Sequence, residues 1–188
     1  MRPLLAGAAL AAALAGAAPA QAPAAPVRPT PAQQGHCRAG ETVVYSCKFG
    51  RATGSVCAHD HSAPGRLSYR FGPLGKAPEL DIVSAPDWSN LHIGRITGGG
   101  GGYQNHMRFS ARGHDYIVFE AVNGSLTVSP GHRRSGISVW RGATEFPPRA
   151  CGLQTGGTVG TFADVWKYVP TASRSAVEER DSRFEAWF

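Results

Sequence analysis

YSCKFGRATGSVCAHDHSAPGRLSYRFG, residues 45–72, holds two of the four cysteines and two runs in which every second side chain is apolar. In an extended chain Tyr45, Cys47 and Phe49 face one way and Ser46 and Lys48 the other. Leu67, Tyr69 and Phe71 repeat the pattern against Ser68 and Arg70. A period of two belongs to antiparallel sheet with one face buried, so the stretch predicts three short strands.

Working outward toward the C-terminus, GPLGKAPE is turn chemistry and Leu80–Val83 is a short apolar run stopped by Pro86, which predicts a fourth strand. Leu91–Ile96 is a fifth. The five glycines of Gly98–Gly102 predict a mobile loop, because glycine loses the most backbone freedom on ordering. No Lys-Ser or Lys-Thr follows them, so they are not a phosphate loop. From Tyr103 a meander is predicted: Met107 and Phe109 alternate with His106 and Arg108, Ala111–Asp115 turns, and Tyr116–Val122 is apolar. Asn123-Gly124 is then a hairpin signal, Ser125–Ser129 a strand, Pro130-Gly131 a turn, and Ile137–Trp140 the returning strand. About eight strands at this spacing predict an all-β fold, a small antiparallel barrel or sandwich, over residues 37–152. Residues 153–188 read as a short helical C-terminal appendage. Phe162, Val165, Trp166 and Val169 recur at helical spacing before Pro170, and Val177, Phe184, Trp187 and Phe188 stripe a charged second helix; the two helices read as padding for one end of the β domain, or the last as docking on a partner or a membrane surface.

Toward the N-terminus, Met1-Arg2, the apolar Leu4–Ala17 run and Ala18-Pro19-Ala20 read as a secretory signal peptide over residues 1–20. Residues 21–36, with Pro23, Pro26, Pro29 and Pro31 among Ala, Gln and Thr, predict a disordered leader. The expected location is therefore the periplasm or the extracellular space. In an oxidising compartment Cys37, Cys47, Cys57 and Cys151 predict two disulfides, with three possible pairings. Their spacing does not suit a zinc site, and no metal or other cofactor is expected.

The chain carries 19 Lys and Arg against 13 Asp and Glu, a net charge of +6; loss of Arg2 with the leader leaves 18 against 13. The excess favours an anionic partner, an envelope polymer such as a polysaccharide or lipid headgroups, or else a cell-envelope protein. The arginines are scattered and lack interleaved aromatics, which argues against nucleic acid. Hydrolase and nucleotide motifs are absent, and Asp60, Glu79, Asp81, Asp87, Asp115, Glu120 and Glu145 make no spaced catalytic pair. His59 and His61 share a face if extended, the geometry of a metal clip, but Ser62–Gly65 reads as a solvated turn. With His106 they are the residues from which an enzyme of this sequence would draw a general base. Asp87, Trp88 and Asn90, with His106, form the kind of ring-plus-polar set that binds sugars.

The patches Tyr45-Ser-Cys47, Gly54-Ser-Val-Cys57-Ala, Tyr69-Arg-Phe-Gly72 and Glu79-Leu80 resemble a group of uncharacterised exported bacterial proteins over most of the β region. The resemblance implies an export-compartment domain and no activity. Ser135-Gly-Ile-Ser-Val-Trp-Arg141 is similar to the Ser-Gly-Ser-Tyr-x-Val-Arg pattern of the invertebrate-type lysozyme inhibitors, matching at Ser135, Gly136 and Arg141 and departing at Ser138 and Trp140. That likeness implies a 131–141 loop inserted into an enzyme's cleft; read without it, Gly131–Gly136 is a hairpin turn. The expectation from the sequence is an exported, non-catalytic binding protein. Intact mass of the chain recovered from an export compartment should correspond to a start at Gln21; retention of residues 1–20 would reject the signal-peptide reading.

Overall fold

Strand alternation in the first third of the chain builds one sheet, and the meander after it builds another. The structure, a computed structural model, describes residues 35–59, 66–151 and 162–179. Strands β1 (Glu41–Phe49), β2 (Ala52–His59), β3 (Leu67–Pro73) and β4 (Leu80–Val83) form an antiparallel sheet in chain order. Strands β5 (Leu91–Thr97), β6 (Tyr103–Ala111), β7 (His114–Val122), β8 (Arg133–Arg141) and β9 (Thr144–Ala150) form the second, and a two-residue β10 (Glu178–Glu179) joins it parallel to β5. The sheets make an open sandwich, not a closed barrel. Tyr45, Val56, Leu67 and Tyr69 from one sheet and Leu91, Met107, Phe109 and Val118 from the other belong to one core cluster and are fully buried. Tyr69 stacks on Phe109 with ring centroids 5.8 Å apart.

From residues 162–179, Phe162, Val165, Tyr168, Val169 and Val177 belong to this core. A 3-10 helix over Phe162–Tyr168 sets Phe162 against Tyr45, centroids 5.0 Å apart, and buries Val165. Helix α1 (Arg174–Val177) buries Val177, and the chain turns extended at Glu178. The predicted first helix is thus 3-10. The predicted second helix is one turn long before a strand replaces it; Phe184, Trp187 and Phe188 lie outside the described residues.

Three further expectations change. Ser125–Ser129 is not a strand, and Asn123-Gly124 does not close a hairpin, because Asn123 instead ties the base of a longer connection: its N–H donates to His132 O and its carbonyl accepts from Gly131 N–H. The strand expected at Ile137–Trp140 is β8, which starts earlier and takes in Arg133–Gly136, where a turn was expected; it is paired with β7 on one side and β9 on the other, and so is not the 131–141 loop that the inhibitor likeness implied. Gly98–Gly102, read as mobile, is a turn packed on that connection. Ser125 N–H donates to Gly100 O, and a Cβ on Gly102 would lie 2.7 Å from Gly124 N. Strand β9 was not foreseen, since Pro147-Pro148 argues against a strand interior.

Two bulges decide which side chains meet. Register runs Val43↔Cys57 and then Tyr45↔Val56, so Val44 is an extra residue in β1. The insertion reverses the alternation: Glu41 lies on the outer face opposite His59, while Tyr45, Cys47 and Phe49 face the core. Ser46, Ser55, Arg70 and Asp81 are register partners across that outer face. Arg70 is only 1% exposed there. Its guanidinium donates to Glu41 Oε2 (2.5 Å) and Oε1 (2.9 Å), to Asp81 Oδ1 (3.0 Å) and to His36 O (3.3 Å). Residues 35–38 lie over this face. His36 N–H donates to Ser55 Oγ, Arg38 pairs with Asp81 at 2.6 Å, and the Cys37–Cys57 disulfide clamps the strap to β2. Burial by itself would raise the Glu41 carboxyl, but bonds from Arg70 and the Arg38 N–H and the charges of Arg70 and His59 outweigh it and hold it below its ordinary value. The same carboxylates outweigh the cost of burying Arg70 and keep it charged.

The second disulfide, Cys47–Cys151, ties β1 in the first sheet to the end of β9 in the second across a sequence separation of 104. Replacing both of its cysteines by alanine should lower stability by about 4 kcal/mol in a denaturant melt, most of it through the freed unfolded chain; a loss under about 1 kcal/mol would mean that the core alone sets the sheet pairing. Glu41, held low in the folded state, contributes fully above its ordinary value of 4.5 and less as acid protonates it. Stability should therefore fall as pH drops below 4.5. Glu41→Gln should be weaker by about 3 kcal/mol at neutral pH, having stranded Arg70, and should show a shallower fall in acid.

Candidate functional site

Where the two sheets splay apart beyond the Tyr69–Phe109 stack, a cleft of about 510 Å³ opens to solvent. One wall is Phe71 of β3 and Leu80 of β4. The other is Tyr116 of β7, Ile137 and Val139 of β8, and Phe146 of β9. All six are apolar or aromatic, as alternation on the inner faces requires, because Phe71↔Leu80 and Tyr116↔Val139↔Phe146 are register partners. The polar side chains that line it are Glu79, His114 and Arg149.

The second bulge builds this wall. Register passes from Ile137↔Arg149 to Val139↔Phe146, which leaves Pro147-Pro148 with one residue more than β8 has opposite them. Proline lacks the N–H that a regular ladder needs, so the strand steps out here. Phe146 and Arg149, three apart and hence on opposite faces of a regular strand, both end on the cleft side. Phe146 is 42% exposed and stands beside His114, centroids 6.1 Å apart, which in turn neighbours Tyr116 at 6.2 Å. His114 Nδ1 is anchored 3.0 Å from Arg112 O. Among the described residues neither Glu79 nor Arg149 has an ion-pair partner, so both charges face the opening unspent. The arrangement suits a ligand with a ring or aliphatic body and a charged end.

A second, smaller cleft of about 300 Å³ lies at the start of β8. Arg133, Arg134, His132 and Arg149 surround an apolar floor that includes Phe119 and Pro148, and Ser135 lies at its edge. Between the two, the inner face of the second sheet carries a polar row. Arg95, Asn105, Glu120 and Ser135 are successive register partners across β5 to β8, and Asn105 Nδ2 donates to Glu120 Oε1 at 2.9 Å. Tyr45 turns its hydroxyl toward this row, 2.8 Å from Cys151 Sγ. Burial pushes that hydroxyl up and the Glu120 charge adds to the effect, against a hydrogen bond from Ser135.

The residues singled out in the sequence are scattered by the fold. Trp88, read as a sugar platform, is 5% exposed and part of the core; it holds a left-handed backbone, φ 64°, so that its ring can enter. Asp87 caps the same turn, accepting from Ser89 N–H and Oγ, and these bonds hold its carboxyl below the usual range. Asn90 bridges β4 to β5 through Ala85 N–H and Val83 O. His106 is buried at mid-strand in β6, where it is the register partner of Gly94 and Phe119. These four do not form an open sugar site.

Ser135, Gly136 and Arg141 lie along β8, not on a projecting loop: Gly136 is buried with Phe119 Cζ 3.1 Å from where its Cβ would stand, and Arg141 is exposed at the far end of the strand. A strand held by neighbours on both sides is not free to insert into an enzyme. His59 Nε2 lies 3.2 Å from both Glu41 Oε1 and Ser68 Oγ. A single nitrogen serves both, and Ser68 is completely buried, so the three do not make a relay. His61 lies outside the described residues. Cys37, Glu41 and Cys57 approach one another, but both sulfurs are committed to the disulfide.

The cleft residues were missed because none belongs to a local motif. The available signal was Phe146-Pro-Pro-Arg149, an aromatic and a cation flanking two residues that cannot pair. No protein family, characterised protein or solved structure gives a significant match to this chain.

Proposed function

We propose that this chain is a binding protein of the exported compartment, acting without catalysis, whose ligand occupies the cleft between Phe71–Leu80 and Tyr116–Val139–Phe146. Two disulfides among the described residues are typical of exported proteins and support that compartment. The observation that carries the reading is the cleft itself: six apolar side chains around about 510 Å³, with an arginine in its lining that has no ion-pair partner among the described residues. The ligand it favours is a small molecule or chain end with an apolar, ring-bearing body and an anionic group. The body would remove Phe146, Tyr116 and Leu80 from water, an effect of about 25 cal/mol for each Å² covered, and Arg149 would receive the anion. The net positive charge of the chain attracts such ligands.

Anilinonaphthalene sulfonate has this shape and charge and serves as a probe. Its fluorescence should rise on binding to the folded, oxidised chain. Phe146→Ser removes an already half-exposed ring and should weaken binding roughly tenfold without lowering the melting temperature. Arg149→Glu should weaken the sulfonate by a similar factor but leave the uncharged analogue phenylnaphthylamine bound as before. If neither substitution changes the titration, the cleft is not the binding site.

A further inference from the structure

Leu126 is 81% exposed and Val128 102%, both in the connection between β7 and β8. In a flexible loop such side chains fold back onto the nearest apolar surface. Here both stay exposed, with Leu126 lying beside the glycine turn, its Cδ1 3.2 Å from where a Cβ on Gly99 would stand. Thr127 N–H and its hydroxyl both donate to Gly124 O, His132 N–H donates to Ser129 O, and Gly131 and Asn123 close the base of the connection. Ser125 N–H donates to Gly100 O, which fixes the connection to the glycine turn beneath. That contact requires glycine: a Cβ on Gly124 would collide with Gly99 O, and one on Gly100, at φ 66°, would lie 2.5 Å from Ser125 Oγ. The glycine-rich turn is therefore a rigid base for an apolar tip.

Positive charge stands behind the tip. His132 and Arg133 follow it and are exposed, Arg134 is fixed by Asn123 Oδ1 at 3.2 Å, and Arg149 shares their cleft. Arg95, exposed over the Tyr103 ring at 4.5 Å, belongs to the same end of the sheet, because Thr97, Tyr103, Val122 and Arg133 are successive register partners. Residues 121–144 contain no Asp or Glu. A protruding aliphatic pair with a basic collar matches an interface whose interior is apolar and whose surface is anionic.

We propose that the Leu126–Val128 tip and the arginines behind it form a docking surface for an anionic lipid bilayer, with the two aliphatic side chains entering the acyl boundary and Arg133 and Arg134 meeting lipid phosphates. This surface is separate from the mouth of the larger cleft and does not depend on what that cleft binds.

The test is cosedimentation of the full, oxidised chain with vesicles of phosphatidylglycerol and of phosphatidylcholine, against two variants. Parent and variants share the apolar run of residues 4–17, so a difference between them isolates the tip. The parent should bind phosphatidylglycerol vesicles in preference to phosphatidylcholine. Leu126→Asp with Val128→Asp should weaken that binding by at least roughly tenfold while leaving the melting temperature unchanged, because both side chains are already exposed. Arg133→Glu with Arg134→Glu should do the same. Inorganic phosphate at matched concentration should not displace the protein. The proposal is overturned if the tip variant binds like the parent, if inorganic phosphate competes as well as vesicles do, or if the parent binds neither vesicle.

Discussion

A guanidinium with 1% of its surface exposed is the constraint around which the first sheet is organised. Arg70 stands on the face of the sheet turned away from the hydrophobic core. Left unpaired, it would cost several kcal/mol. Glu41 and Asp81 neutralise it, and the backbone of residue 36 accepts one of its remaining donors. Each partner imposes something on the chain. Glu41 reaches this face only because Val44 is inserted into β1, and His36 reaches it only because residues 35–38 cross the sheet and are clamped by Cys37–Cys57. The sheet is thus covered on both sides: by apolar packing within the sandwich and by a strap over charged and hydroxyl groups outside.

The same device, one additional residue in an edge strand, appears again in the second sheet with a different consequence. In β1 the bulge sends a carboxylate outward while keeping three core side chains inward. In β9 the Pro147-Pro148 step turns an aromatic and an arginine to one side. Both strands lie at sheet edges, where a lost ladder hydrogen bond is tolerated because water takes its place. Cys47–Cys151 then joins these two bulged strands, so the residues that define the cleft wall and those that define the core are fixed relative to one another by a covalent tie.

The apolar interior does not run the length of the sandwich. It ends at the row Arg95, Asn105, Glu120 and Ser135. Beyond that row lie the glycine turn, the 123–132 connection and the basic side chains around Arg133. The open cleft, by contrast, sits beyond the Phe109–Tyr116 pair on the other side of the core. The molecule therefore carries two chemically different surfaces: a cleft lined with rings and aliphatic side chains, and an exposed aliphatic pair set among basic side chains.

Alternation of apolar side chains was sufficient to establish from the sequence that the chain is antiparallel β and that most strands fall near their observed places, and the even count of cysteines in a chain read as exported pointed to two disulfides. Period two is a local property, and each strand displays it without reference to its neighbours. Four matters were settled only by tertiary structure: disulfide pairing, the bulges, the burial of Trp88, and the extension of β8 back over Arg133–Gly136. Pairing depends on which Cβ atoms the register brings within reach. A bulge is visible only against the partner strand. Trp88 is equally compatible with a core or a surface until Leu91 and Phe109 are in position to receive it. Arg133–Gly136 carries a glycine and a hydroxyl that locally favour a turn, and pairing with β7 overrides that preference. The cleft was illegible for the same reason, because its walls come from β3, β4, β7, β8 and β9, and nothing along the chain marks residues as neighbours when only the crossing of two sheets makes them so.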